Sequence, residues 1–258
     1  MALDAAYMLA ASPKERLRMI ESELPLNYIP EGATKEIRGL NKARDYSNII
    51  NSFIVEYIEI MIKKDITSES GSILEPQNLN IQFSKVMDNW KNTKGKDSIS
   101  KIELKQNPYT MVGANLLANA NAVTRSLSTK MGELWELLAQ MSPYAINPEI
   151  EFDGLKIQGI DLIALNYNTH ILEYIQLKTK RDTLTGSQSP RSKTELSIHD
   201  NPVFCAAFDL GPWNFNSEEI PRVCGAEFWE RIGIEYDIFT ELVKEMILGL
   251  ELMFKDHS

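Results

Sequence analysis

The stretch GIDLIALNYNTHILEYIQLK, Gly159 to Lys178, decides the fold. Two short apolar runs flank Asn166–His170 (NYNTH), a cluster of turn formers, and the pattern predicts a β-hairpin. Side chains two apart on a strand share a face, so Gln176 and Lys178 project together. Pairing of the two strands can bring Asp161 alongside them. A carboxylate, an amide carbonyl oxygen and an ammonium group meeting at one place suit metal-assisted hydrolysis of a phosphodiester.

Outward from the hairpin, the period changes at Pro143. Beyond it, strand-like patterning covers residues 149–153, 157–165, 171–179, 203–210 and 222–224, and a helix runs from about Ala226 into residues 236–254. Before Pro143 the chain reads mainly as helices. Ser12-Pro13 has the signature of an N-cap with proline at the first helical position, opening a helix to about Glu21. Residues 46–64 carry Ile49, Ile50, Phe53, Ile54, Tyr57, Ile58 and Met61 at helical spacing. Further helices are expected over 81–90, 109–125 and 129–141, with polar linkers at 67–72 and 92–98. The expected organisation is a helical N-terminal region, residues 1–127, followed over 128–258 by a core built on a mixed sheet.

Composition sets outer limits. The 258 residues are 43% hydrophobic and 24% charged, a globular profile. No apolar run approaches the roughly 20 residues that span a bilayer. The start, MALDAAYMLAASPKERL, has no basic segment ahead of its apolar stretch and does not read as a signal peptide. Cys205 and Cys224 are the only cysteines. With three histidines they provide neither a disulfide framework nor a zinc site, so a reducing, cytoplasmic compartment is expected. Net charge is −9, which disfavours diffuse, charge-driven binding of nucleic acid. Residues 178–193, however, hold Lys178, Lys180, Arg181, Arg191 and Lys193 against the single acid Asp182.

Upstream, Gly132-Glu133-Leu134-Trp135-Glu136 places two acids on an amphipathic helix. Solvated surface positions are the ordinary fate of such glutamates. Helical geometry alone favours Glu133, which flanks the apolar arc, over Glu136. The residues after the hairpin, Lys180, Arg181, Thr183, Thr185, Ser187, Gln188, Arg191 and Lys193, are of types that contact phosphates and base edges. Their bland reading is a polar loop leading into a helix near Ser189-Pro190. Trp213, Phe215, Phe228 and Trp229 read as core residues.

A helix with G-x-x-x-E, a strand acid and a strand ending in (D/E)-x-K resembles the PD-(D/E)xK nuclease superfamily, and within it the type II restriction endonucleases. The resemblance covers roughly Ser128 to Trp229. It rests on STKMGELWE, GIDLIAL, EYIQLK, LTGSQSPRSKTEL and the late block GAEFWERI. It implies an α/β (α+β) fold, a restriction-endonuclease-like mixed sheet flanked by helices. It also implies a Mg²⁺-dependent, site-specific deoxyribonuclease that acts on double-stranded DNA as a homodimer, with no membrane association, residues 128–258 forming the nuclease core and residues 1–127 serving DNA recognition, dimerisation or both. By the family's spacing the helix acid is Glu136, with Glu133 in reserve. The strand acid is Asp161 and the lysine is Lys178. Asp161, Gln176 and Glu136 are then the metal ligands, and Lys178 orients or deprotonates the attacking water. Two positions depart from the pattern. Ile160 replaces the family's proline, and Gln176 replaces its second acid, which leaves a neutral carbonyl oxygen as the ligand. Two other readings fit the same residues. One is a structure-specific or repair nuclease on the same core, and the other is a noncutting DNA-binding or protein-interaction module whose site has decayed through Gln176.

Overall fold

In the computed structural model, which describes residues 3–25, 34–100 and 108–257, a five-stranded mixed sheet lies between two layers of helices. The strands are β1 (Ala145–Ile146), β2 (Leu162–Leu165), β3 (Leu172–Lys180), β4 (Pro202–Phe208) and β5 (Arg222–Cys224), and their spatial order follows the sequence. β1–β2 and β2–β3 are antiparallel, whereas β3–β4 and β4–β5 are parallel. The hairpin register pairs Leu162 with Ile175 and Leu165 with Leu172. That is the pairing expected of two apolar runs around a tight polar turn. The two strands at the far edge hold the two cysteines, both as free thiols.

The helices in chain order are α1 (Ala5–Ala10), α2 (Pro13–Ser22), α3 (Lys35–Asn51), α4 (Ile54–Ile66), α5 (Pro76–Trp90), α6 (Lys96–Ser100), α7 (Pro108–Met111), α8 (Asn115–Ala139), α9 (Pro148–Glu151), α10 (Gln188–Leu196), α11 (Ala226–Arg231) and α12 (Tyr236–His257). α2 begins as read, with a capping box between Ser12 and Glu15 that satisfies exposed N–H groups. Alternation along the strands divides the core. Ile175, Leu177, Val203 and Cys205 face α5, α8, α11 and α12. Ile163, Tyr174 and Phe204 face α1, α3 and α4. Phe215, Phe228 and Trp229 are fully buried, and Trp213 lies partly buried against the second cluster.

Several local expectations give way to tertiary contacts. The run 46–64 is two helices. The chain breaks at Ser52–Phe53, where Phe53 turns inward edge-on to Tyr57 and Phe152. Residues 92–98 are no linker. A π-helical turn, Lys91–Gly95, continues into α6, and Gly95 is buried where a Cβ would meet Leu250 of α12. Residues 149–153 form no strand. Asn147 caps the N–H of Glu149 at 2.9 Å and Pro148 opens α9, so the cap and proline outweigh the apolar alternation. Of 157–165 only Leu162–Leu165 is strand, because Gly159 takes φ +82° and turns the chain just ahead of Asp161. The helices expected over 109–125 and 129–141 are α7 and the long α8, divided at Gly113 (φ +74°) rather than at 126–128. A boundary at 127/128 therefore falls inside α8. The C-terminal helix is divided at Gly233 (φ +76°). Among the described residues no helix is long and apolar enough to cross a membrane.

Candidate functional site

Asp161 stands one residue ahead of β2, and its N–H still donates to the Ile175 carbonyl at 2.9 Å. Extending the Leu162–Ile175 register by one step sets Asp161 opposite Gln176. Because β2 supplies no further backbone there, the Asp161 carboxylate takes its place. Its Oδ2 accepts from the Leu177 N–H at 2.8 Å and from Lys178 Nζ at 3.4 Å. Lys178 also donates to the Leu177 carbonyl at 3.1 Å. Asp161 and Lys178 are each a quarter exposed.

Glu136 arrives from α8. Trp135, its neighbour, is fully buried, and the Trp135 indole N–H donates to the Thr179 hydroxyl at 3.2 Å, which ties α8 to the end of β3. Glu136 lines a cleft of about 480 Å³ together with Asp161, Gln176 and Asn147. Asn147 Nδ2 donates to Glu136 Oε2 at 3.4 Å. Burial and then the nearby Asp161 charge push the Glu136 carboxyl up to about 7, against the opposing pull of Lys178. Gln176 is a buried residue of the cleft lining, and its Oε1 has no hydrogen-bond partner.

The structure therefore brings Asp161, Gln176, Lys178 and Glu136 together and leaves Glu133 out. Glu133 is exposed and forms an ion pair with Lys94 of the π-helical turn. Among the described residues no group of three His, Cys, Asp or Glu side chains is placed to hold a metal ion. The available donor set is two carboxylates and a neutral amide oxygen. All are hard oxygen ligands, and Mg²⁺ characteristically binds through one or two carboxylates while keeping several waters. The orphaned Gln176 oxygen and the mutual repulsion of Glu136 and Asp161 fit a small divalent cation.

The residues after β3 are more scattered. Lys180 pairs with Asp182 at 3.0 Å and Arg181 with Asp209 at 2.7 Å. The Thr183 hydroxyl donates to the Lys180 carbonyl at 2.8 Å, and Gln188 Oε1 accepts from the Thr185 N–H at 2.8 Å, so both serve the turn itself. Ser187 precedes α10 and is exposed, and Lys193 is half-buried within that helix. Of these residues Arg191 lines the cleft. Lys42 of α3, Asn147, Gln158 and Glu195 also line it without having been singled out from the sequence. Asn147-Pro148-Glu149 had a readable capping signature. The others come from distant segments, and no local pattern marks them. Compared with known proteins, the chain matches no family model, no curated protein and no solved structure.

Proposed function

We propose that this protein is a Mg²⁺-dependent deoxyribonuclease that hydrolyses phosphodiester bonds in double-stranded DNA, of the type II restriction kind, on a restriction-endonuclease-like core. The observation that carries the reading is the convergence of Glu136, Asp161 and Gln176, whose buried side-chain oxygen is unpartnered, on one cleft, with Lys178 bonded to Asp161. Asp161, Gln176 and Glu136 would hold the cation. Polarisation of a phosphate oxygen is the chemistry a divalent ion supplies there. Lys178 Nζ, bonded to Asp161 Oδ2 and the Leu177 carbonyl, is a donor able to orient an attacking water and to offset negative charge growing on phosphorus. The Asp161 carboxylate fixes that ammonium group in turn. Cutting both strands of a symmetric site calls for a two-fold dimer, so the working form in this reading is a homodimer.

The test is incubation with long duplex DNA and Mg²⁺, followed by mapping of fragment ends. Discrete bands support the restriction reading, and cutting confined to branched substrates supports a repair nuclease. The neutral Gln176 gives the noncutting module its foothold, and binding without any cleavage would favour it. Lys178→Ala and Asp161→Ala should each lower cleavage by about 10²–10⁴-fold, the scale of lost acid–base assistance, with the fold retained by circular dichroism. Unchanged rates in either variant would remove those residues from the chemistry.

A further inference from the structure

The cleft at Glu136 and Asp161 does not end there. It continues as an open groove of about 570 Å³ between α3 and α10, and Gly39, Gln158 and Arg191 line both stretches. Charge changes along it. The inner stretch holds Glu136, Glu149 and Asp161 with Lys42 on its α3 wall, while the outer stretch carries Lys35 and Arg191 against the single acid Glu36. Lys35, Gly39 and Lys42 are spaced four and three apart, so they share one face of α3. Lys35 and Lys42 lie about 10 Å apart along the helix axis, roughly three base steps of a duplex at about 3.4 Å each.

Arg191 is held rather than loose. Its Nε donates to Glu195 Oε1 at 2.7 Å, and the same oxygen accepts from Gln158 Nε2 at 2.8 Å. The Glu195 side chain is 8% exposed against 67% for Arg191. Behind it, Gly159 adopts φ +82° in close contact with the Glu195 Cβ, where any larger residue would collide. A guanidinium has five donors. With Nε taken by Glu195, the terminal nitrogens remain for an acceptor in the groove. On the opposite wall Lys42 Nζ lies 5.2 Å over the Tyr46 ring.

We propose that the groove between α3 and α10 seats the sugar-phosphate backbone of a polynucleotide strand, with Arg191 and Lys42 holding phosphates and Glu195 as the positioning residue for Arg191. This rests on the nuclease reading above. It moves the main backbone contacts away from Lys180 and Arg181, neither of which lines the groove. It also assigns α3, in the N-terminal region, one wall of the substrate path. A chain of net charge −9 requires such focused cations if a polyanion is to approach an acidic centre.

The experiment is fluorescence anisotropy of a labelled duplex with the full chain in Ca²⁺ across 50–200 mM salt, alongside cleavage of the same duplex in Mg²⁺. Lys42→Ala and Arg191→Ala should each weaken binding about tenfold and reduce the salt slope by about one. Glu195→Ala, which removes the oxygen that holds Arg191 Nε, should weaken binding while keeping the slope, since the Arg191 charge persists, and Glu195→Gln, which keeps that oxygen, should restore it. Lys244→Ala, on α12 and paired with Glu241, should bind as wild type. Inorganic phosphate at equal phosphate concentration should fail to displace the duplex. Its displacing the duplex would mark a single-anion site and overturn the strand path. If the wild type binds and cuts while Lys42→Ala and Arg191→Ala match it in affinity and slope, the groove proposal falls and the nuclease reading stands. A wild type that neither binds nor cuts removes both.

Discussion

In the proposed metal site Gln176 contributes an amide rather than an acid, and its buried oxygen lacks a partner. An unsatisfied buried polar group costs about 1–3 kcal/mol, which a bound cation would offset. Gln176→Glu adds a third carboxylate, so Mg²⁺ affinity by calorimetry should rise severalfold. Weaker binding would show that residue 176 is not a ligand. Protons bear on the same cleft. Burial and Asp161 push Glu136 up to about 7, so the folded state holds a proton that the unfolded chain releases near 4.5. That contribution favours folding at low pH and is lost as pH rises toward 7. Mg²⁺ binding at pH 6.5 should therefore release protons, and Glu136→Gln should abolish the release, as seen by calorimetry in buffers of different ionisation heat. His199 acts in the opposite direction. It stacks on Tyr174 at 5.1 Å, its Nδ1 lies 2.6 Å from the Ser47 hydroxyl, and burial brings it down to about 4 from 6.5. Between those values the unfolded chain binds a proton that the folded one refuses, so stability falls as pH drops from 6.5 toward 4. The whole shift corresponds to roughly 3 kcal/mol. Urea unfolding of His199→Gln at pH 7 and pH 5 should show a smaller loss than wild type, and an equal loss would sink the assignment.

At the level of elements, the docking of α8 on β3 sets the geometry of the cleft. Trp135 meets Phe208 edge-on at 5.1 Å and Phe239 at 5.9 Å, and its N–H reaches Thr179. Thr179→Val removes that acceptor with little change in shape and leaves a buried indole N–H unpaired. It should cost about 1–3 kcal/mol in denaturant unfolding and lower cleavage by letting Glu136 shift. Full stability in the variant would place the anchor of α8 elsewhere. The same docking explains what could be read in advance. β3 and β5 and the start of α2 follow from short apolar runs and from an N-cap serine before a proline, which are local signals. Asp161 beside Gln176 follows from hairpin register. The break at Ser52–Phe53 and the helical turn at Lys91–Gly95 were not legible, because Phe152 and Leu250, distant in sequence, decide them. Choosing between Glu133 and Glu136 failed on packing grounds for a related reason. The helical wheel sets Glu133 beside the apolar arc and Glu136 further round, but it is blind to Lys94, which pairs with Glu133 at the surface. Lys42 and Glu195 reach the cleft from segments whose only link to it is the tertiary fold.

Across the whole molecule, the sheet has two apolar faces and the chain covers them from both ends. α1, α3 and α4 cover one face from the N-terminal region, while α12, at the C-terminal end, joins α5 and α8 on the other. Contacts across residue 127/128 are specific as well as apolar. The Tyr174 hydroxyl donates to Asn51 Oδ1 at 2.7 Å, Glu151 accepts from both Arg16 and Tyr57, and Phe152 packs edge-on to Phe53. Full burial of a large apolar side chain contributes about 1.5–3 kcal/mol, so re-exposing Phe152 and Tyr174 alone forfeits roughly 3–6 kcal/mol. A domain's entire stability is about 5–15 kcal/mol, and cutting at 127/128 would also divide α8 upstream of Trp135. Residues 128–258 produced alone should therefore lack near-ultraviolet circular dichroism and dispersed amide resonances, although they hold all the proposed catalytic side chains. The full chain should unfold in one transition that coincides by fluorescence and far-ultraviolet circular dichroism. A folded fragment, or two separated transitions, would show that the N-terminal helices are an appendage to an independent core rather than one face of it.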